Sequence, residues 1–176
     1  VYIGACVSEV EEGLAQDVSK ISGYALIGCS RSMFANRVSY TFDFHGPSYS
    51  IDTACSSSFL ALQQAVTGLR TNQCDQAIVG GVNICVRPAS SLQFHKLSML
   101  SVDGACKHLD ESGNGYVRSE TCSAILLQRK QDAKRIYATV INAKTNTDGN
   151  KSEGITFPSW TSQRDLMKET VDEAGV

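Results

Sequence analysis

The feature that most constrains this chain is an abrupt change of period around residues 52–58. Tyr49, Ser50, Ile51, Asp52 and Thr53 read as a short extended run, and from Ala54 to Leu69 the apolar residues Phe59, Leu60, Leu62, Ala65, Val66 and Leu69 recur at helical spacing. A strand that passes straight into a helix apolar around most of its circumference belongs in a layered protein, and the pattern predicts a largely buried helix over 54–69. Upstream, Cys29, Met33, Ala35 and Val38 interleaved with Arg31 and Arg37 predict an amphipathic helix over 28–40, followed by a turn over 41–47. Downstream, 76–86 is a β-rich run broken by Gly80-Gly81, where the missing side chains imply a bulge or the close approach of another backbone. Residues 123–128 and 137–143 read as buried neighbouring strands, antiparallel across the charged turn 129–135. A last helix is predicted over 162–174, capped by Ser162, with Leu166, Met167, Thr170 and Val171 on its inner face. Strands and helices in this order indicate the α/β class.

No repeat, low-complexity tract or Pro-rich linker divides the 176 residues, so residues 1–176 read as one domain or one piece of one. A chain of this size is expected to bury roughly 70% of its unfolded surface. Sixteen Lys plus Arg against 18 Asp plus Glu leave a net charge of -2, which supplies no basic field for nucleic acid or anionic lipid. No apolar run approaches the roughly 18 to 20 residues of a membrane helix, and no secretory leader pattern opens the chain, so a cytoplasmic protein is expected. The chain starts at Val1 and stops just after Gly175, a residue that suits a helix end, and both ends read as cuts.

Seven cysteines, an odd number without C-x-x-C or a Cys/His cluster, point to free thiols in a reducing compartment and to no metal site. Six of them read as small buried hydrophobes. The seventh, Cys55, lies in Asp52-Thr-Ala-Cys-Ser-Ser-Ser58, where an extended segment turns into a helix. Unpaired N–H groups and the macrodipole at a helix start favour a thiolate over a thiol, and the same groups suit the oxyanion formed when a thioester is attacked. Ala54 and the serines leave room for a substrate. A buried Cys beside a Ser-rich cap accounts for the local residues equally well.

The segment Asp52–Ser58 resembles the active-site signature of the β-ketoacyl synthases, the condensing domains of type I fatty acid and polyketide synthases. The likeness continues in order through Gly28–Tyr40, Phe42–Pro47, Ala77–Asn83, Met99-Leu-Ser101, Gly113–Glu120 and Thr145–Gly149, and Ile155–Ser159 resembles the animal-type fatty acid synthase in particular. The resemblance implies a thiolase-like αβαβα sandwich, dimeric and about twice this length, of which the chain is the N-terminal half. It implies Cys55 as the acylated nucleophile, with acyl and malonyl thioesters as substrates delivered by an acyl carrier protein on its 4'-phosphopantetheine arm, and no cofactor bound by the chain itself. Thr156 is a candidate contact for the pantetheine arm, and Phe94 and Met99 are candidates for the acyl pocket wall.

In that family two later histidine blocks support decarboxylation, and neither is present in this sequence. His45, His95 and His108 match neither and read as solvated or core-edge imidazoles, so the chain alone is expected to be an incomplete enzyme. The runner-up readings are a polyketide condensing domain, a Cys-His hydrolase, and a truncated module without catalysis. Asp110–Gly115 imitates the opening of a calcium loop, but its twelfth position is Thr121 where a bidentate Glu is needed. The Gly-Asn-Gly-Tyr segment reads instead as structural, with Glu120 anchoring a buried polar network.

Overall fold

The computed structural model describes every residue except Val7. Its centre is a four-stranded sheet in the order β2-β1-β3-β4. The short strand β1 (Tyr2–Gly4) runs parallel to β2 (Tyr49–Ile51) on one side and to β3 (Gln76–Asn83) on the other, and β3 pairs antiparallel with β4 (Thr121–Gln128). The register of β3 on β4 passes through Gly80 and Gly81 without interruption, so these glycines mark close packing and not a bulge.

Around the sheet, α1 (Glu9–Ala15), one 3-10 turn and α2 (Gly23–Cys29) lead into α3 (Ser32–Phe42), which packs on β2 and fully buries Ala35. Helix α4 (Ser57–Arg70) then connects the parallel strands β2 and β3 and lies across β1 and β3. Its contact stripe is Ala61, Ala65, Gly68 and Leu69, and Ala61 and Ala65 join Tyr2, Ala77 and Val79 in the core. Small residues there let helix and sheet approach closely. Helices α5 (Pro88–Lys96) and α6 (Trp160–Ala174) complete the chain, and no described helix is long and apolar enough to cross a membrane.

Four sequence expectations change. First, α4 is buried on one stripe only: Phe59 is 72% exposed, and an open groove runs between Phe59 and Leu62 of α4 and Leu166 and Val171 of α6. The accessible surface is 12799 Å², against roughly 8,400 Å² for a compact monomer of this mass. The chain therefore buries only about half of its extended surface, less than the roughly 70% expected from size. Second, residues 137–143 form no strand. β4 takes β3 as its neighbour, and the segment's polar groups go elsewhere: Arg70 Nη2 donates to Ile141 O at 2.9 Å and Asn142 Nδ2 to Thr170 O at 3.3 Å. Third, α6 begins earlier, with Ser159 and not Ser162 as its cap, the Ser159 Oγ accepting from Ser162 N at 3.2 Å. Fourth, all seven cysteines are free, but none is fully buried: Cys6, Cys29, Cys74 and Cys85 are half-buried, and Cys55, Cys106 and Cys122 are exposed.

Candidate active site

Between β2 and α4 the backbone makes a tight turn at Thr53–Ser56. Ala54 holds φ 54°, a left-handed conformation that disfavours any residue with a Cβ by roughly 1–2 kcal/mol. Its surroundings maintain it. On the amide side, Ala54 N donates to Asp52 Oδ1 at 3.1 Å, and the other carboxylate oxygen of Asp52 pairs with Arg31, whose own carbonyl accepts from Ser50 Oγ at 2.7 Å. On the carbonyl side, Ala54 O accepts from Ser57 Oγ at 2.6 Å and from the Cys6 thiol at 3.0 Å. Ser57 is buried, and its hydroxyl also accepts from Thr53 N at 2.9 Å. Ser56 closes the turn by donating to Thr53 O at 2.9 Å.

Cys55 stands on this turn, two residues ahead of the first helical residue, exposed and with no hydrogen-bond partner for its thiol among the described residues. The helix that follows carries no acidic residue in its first turn.

Two glycines seat the turn on the sheet. Gly4 and Gly81 are register partners on β1 and β3. A Cβ on Gly4 would stand 2.4 Å from Ser58 N and 2.6 Å from Ser57 C, and one on Gly81 would stand 2.9 Å from Ser58 Cβ. The start of α4 thus rests on bare backbone, which fixes the height of Cys55 above the sheet.

The other sequence candidates are less closely gathered. Met99 N donates to Phe94 O at 3.1 Å, and Met99 O accepts from Tyr116 N at 3.0 Å, so these two candidates share one cluster. Phe94 lies edge-on to Tyr116 and under the Arg118 guanidinium, 4.9 Å from its ring centre, whereas Met99 is 41% exposed. Thr156 lies exposed in the loop before α6, a loop tied by Asp148 to Lys151 and to Ser159 N, each at 2.9 Å. No hydrogen bond or ring contact among the described residues joins these three to Cys55. His45, 3.1 Å from Asp43, His95 and His108 are all exposed.

The expectation that Glu120 anchors a buried polar network is corrected by its exposure. Glu120 is exposed and accepts from Cys85 N at 2.8 Å. The buried carboxylate is Glu9 on α1, which accepts from Val86 N and Arg87 N at 2.8 Å each, from the Ser90 hydroxyl, and faces Arg118 at 3.7 Å. These donors, the Ser90 hydroxyl foremost, outweigh burial and hold its carboxyl below the ordinary value. Gly115 does fit its structural reading, since its φ of 131° and a neighbour at 2.5 Å in Leu100 leave no room for a side chain. Cys6, grouped with the packing cysteines, also escaped notice. The only sequence signal for Glu9 is its place three residues after Cys6 at the start of a polar helix.

Comparison with known proteins places these features in context. Residues 1–133 match the family described as beta-ketoacyl synthase, N-terminal domain. Over all 176 residues the chain is 54% identical to a fatty acid synthase of Anser anser anser, of which it covers 50%, and 39% identical to the cyclo-acetoacetyl-L-tryptophan synthase of Aspergillus oryzae, of which it covers 5%. The chain thus spans about half or less of the length of these relatives. Among solved structures, the oxazolomycin ketosynthase domain of Streptomyces albus superposes with a TM-score of 0.86 at 36% identity, covering 99% of this chain and 32% of that one. The ketosynthase from module 6 of the bacillaene synthase of Bacillus subtilis superposes with a TM-score of 0.85 at 35% identity, with coverages of 99% and 30%. The fold is therefore the N-terminal part of a thiolase-like α/β architecture, built here on a mixed sheet.

Proposed function

Because this chain belongs to the β-ketoacyl synthase family, we propose that residues 1–176 form the nucleophile-bearing part of the condensing domain of a fatty acid synthase. The supporting observation is the exposed, unpartnered Cys55 thiol, presented on a left-handed turn at the head of a sheet-seated helix. The higher identity to a fatty acid synthase, 54% against 39% for the fungal synthase, favours that class over a polyketide condensing domain.

In this reading an acyl group arrives as a thioester on the phosphopantetheine arm of an acyl carrier protein. Cys55 attacks the carbonyl, the carrier thiol leaves with a proton, and the acyl group remains as an enzyme thioester. Malonyl carrier protein then loses CO2. The electron pair released forms the new carbon–carbon bond at the Cys55 thioester carbonyl, and the sulfur leaves as the regenerated thiol. Covalent capture splits one hard condensation into two easier steps. The chain's own contribution is the placed nucleophile, with Met99, Phe94 and Thr156 as proposed contacts for the acyl group and the carrier arm. Its histidines lie outside the family's catalytic blocks, so the chain alone is expected to leave decarboxylation unsupported. Within a multidomain synthase a cytoplasmic homodimer is the assembly we propose.

The test is alkylation of the complete synthase with iodoacetamide or a cerulenin-like epoxide, followed by peptide mapping. The adduct is expected on Cys55, with condensation abolished, while Cys55→Ala keeps carrier-protein binding. Inactivation with the adduct on a different cysteine overturns the assignment.

A further inference from the structure

We infer that Cys6 is a positioning residue for the nucleophile: its thiol, together with the Ser57 hydroxyl, grips the Ala54 carbonyl and so fixes the turn that presents Cys55. The inference rests on the reading of Cys55 as the nucleophile. The peptide unit between Ala54 and Cys55 is planar, so holding its oxygen also sets the Cys55 N–H and the Cα from which the Cys55 side chain departs. Ala54 is not a glycine, and its left-handed φ of 54° does not maintain itself.

Ala54 O also accepts from Ser57 N at 3.1 Å, and the two side-chain donors come from different layers. Ser57 is the first residue of α4 and donates to Ala54 O at 2.6 Å. Cys6 follows β1 directly, where Ala5 N donates to Ile51 O at 3.1 Å and extends the sheet pairing, and its sulfur reaches Ala54 O at 3.0 Å and Ser57 Oγ at 3.5 Å. The turn is therefore tied to helix and sheet at one oxygen atom. Burial pushes the Cys6 thiol up, which keeps it in the S–H form that donates. A serine at this position offers the same donor, and an alanine offers none.

The experiment compares wild-type, Cys6→Ala and Cys6→Ser forms of the complete synthase. The rate of Cys55 alkylation by iodoacetamide is followed by peptide mapping, alongside kcat and KM for condensation. One net hydrogen bond predicts that Cys6→Ala slows alkylation and kcat about three- to tenfold with KM unchanged, and that Cys6→Ser returns both to within about twofold. Equal rates in wild type and Cys6→Ala, or an equal loss in both variants, overturn the inference. Should Cys6→Ala fail to fold, Cys6→Val, which fills the site without a donor, takes its place with the same expected loss. A wild-type adduct mapping to another cysteine sinks the nucleophile reading instead, so the two failures are separable.

Discussion

Replacing Gly4 with alanine should lift the start of α4 off the sheet. The added methyl would stand 2.4 Å from Ser58 N, 2.5 Å from Ser58 Cα and 2.6 Å from Ser57 C. Non-bonded carbons settle at roughly 3.5–4.0 Å, so the helix start must retreat by about 1 Å. All three neighbours are backbone atoms, and no side-chain rotation relieves the clash. Overpacking of this kind costs about 1–3 kcal/mol, which in a chain of this size lowers Tm by roughly 2–12 °C. The shift also moves Cys55, and a displacement near 1 Å at a reacting group can slow chemistry by up to about 10²-fold. Calorimetry and the rate of Cys55 alkylation measure the two effects. Gly28→Ala is the control, because a Cβ there meets nothing within 4 Å and the residue lies inside α2, where alanine should gain about 0.5–1 kcal/mol. Wild-type melting and wild-type alkylation in Gly4→Ala would refute the seating of α4 on bare backbone.

Other predictions test the supports around this region. Glu9→Gln should destabilise by about 1–3 kcal/mol, because it leaves the half-buried Arg118 without its counter-charge and weakens three hydrogen bonds at the head of α5. Glu9 titrates below its ordinary 4.5, so its contribution is complete above about that pH and is lost as the pH falls through the lower folded value; denaturant melts of wild type and Glu9→Gln should converge on acidification. Ser159→Ala should cost about 0.5–2 kcal/mol and fray α6, seen as faster proteolysis near Trp160, whereas Ser162→Ala should stay within about 0.5 kcal/mol.

Much of this was legible in residue order, and the exceptions share a cause. The strands over 49–51, 76–83 and 121–128 and the helices α3, α4 and α6 carry their own period, so local pattern found them. β1 went unread because three residues have no period; it is central only because distant strands pair with both its edges. Residues 137–143 have strand composition, but a strand is defined by a neighbour's edge, and β3 is the neighbour β4 takes. Ser162 looked like a cap by type, yet the helix begins three residues sooner, at a serine whose oxygen meets an orphan N–H. At the candidate site, the turn that carries Cys55 was visible from the change of period at residues 52–58. Cys6 and Glu9 act across sequence separations of 48 and of 77 to 81, and no spacing rule spans such distances.

The paired bare positions on β1 and β3 carry a consequence for anyone reshaping this protein. They act as a fixed datum for the sulfur's elevation: at Gly4 main chain meets main chain and no side chain can absorb a change, and at Gly81 the neighbour is the short side chain of Ser58. Efforts to alter the proposed acyl preference are therefore best directed at the candidate wall residues Met99 and Phe94, while Gly4 and Gly81 stay untouched. A library that randomises those two sites should return almost no active clones, however permissive its walls.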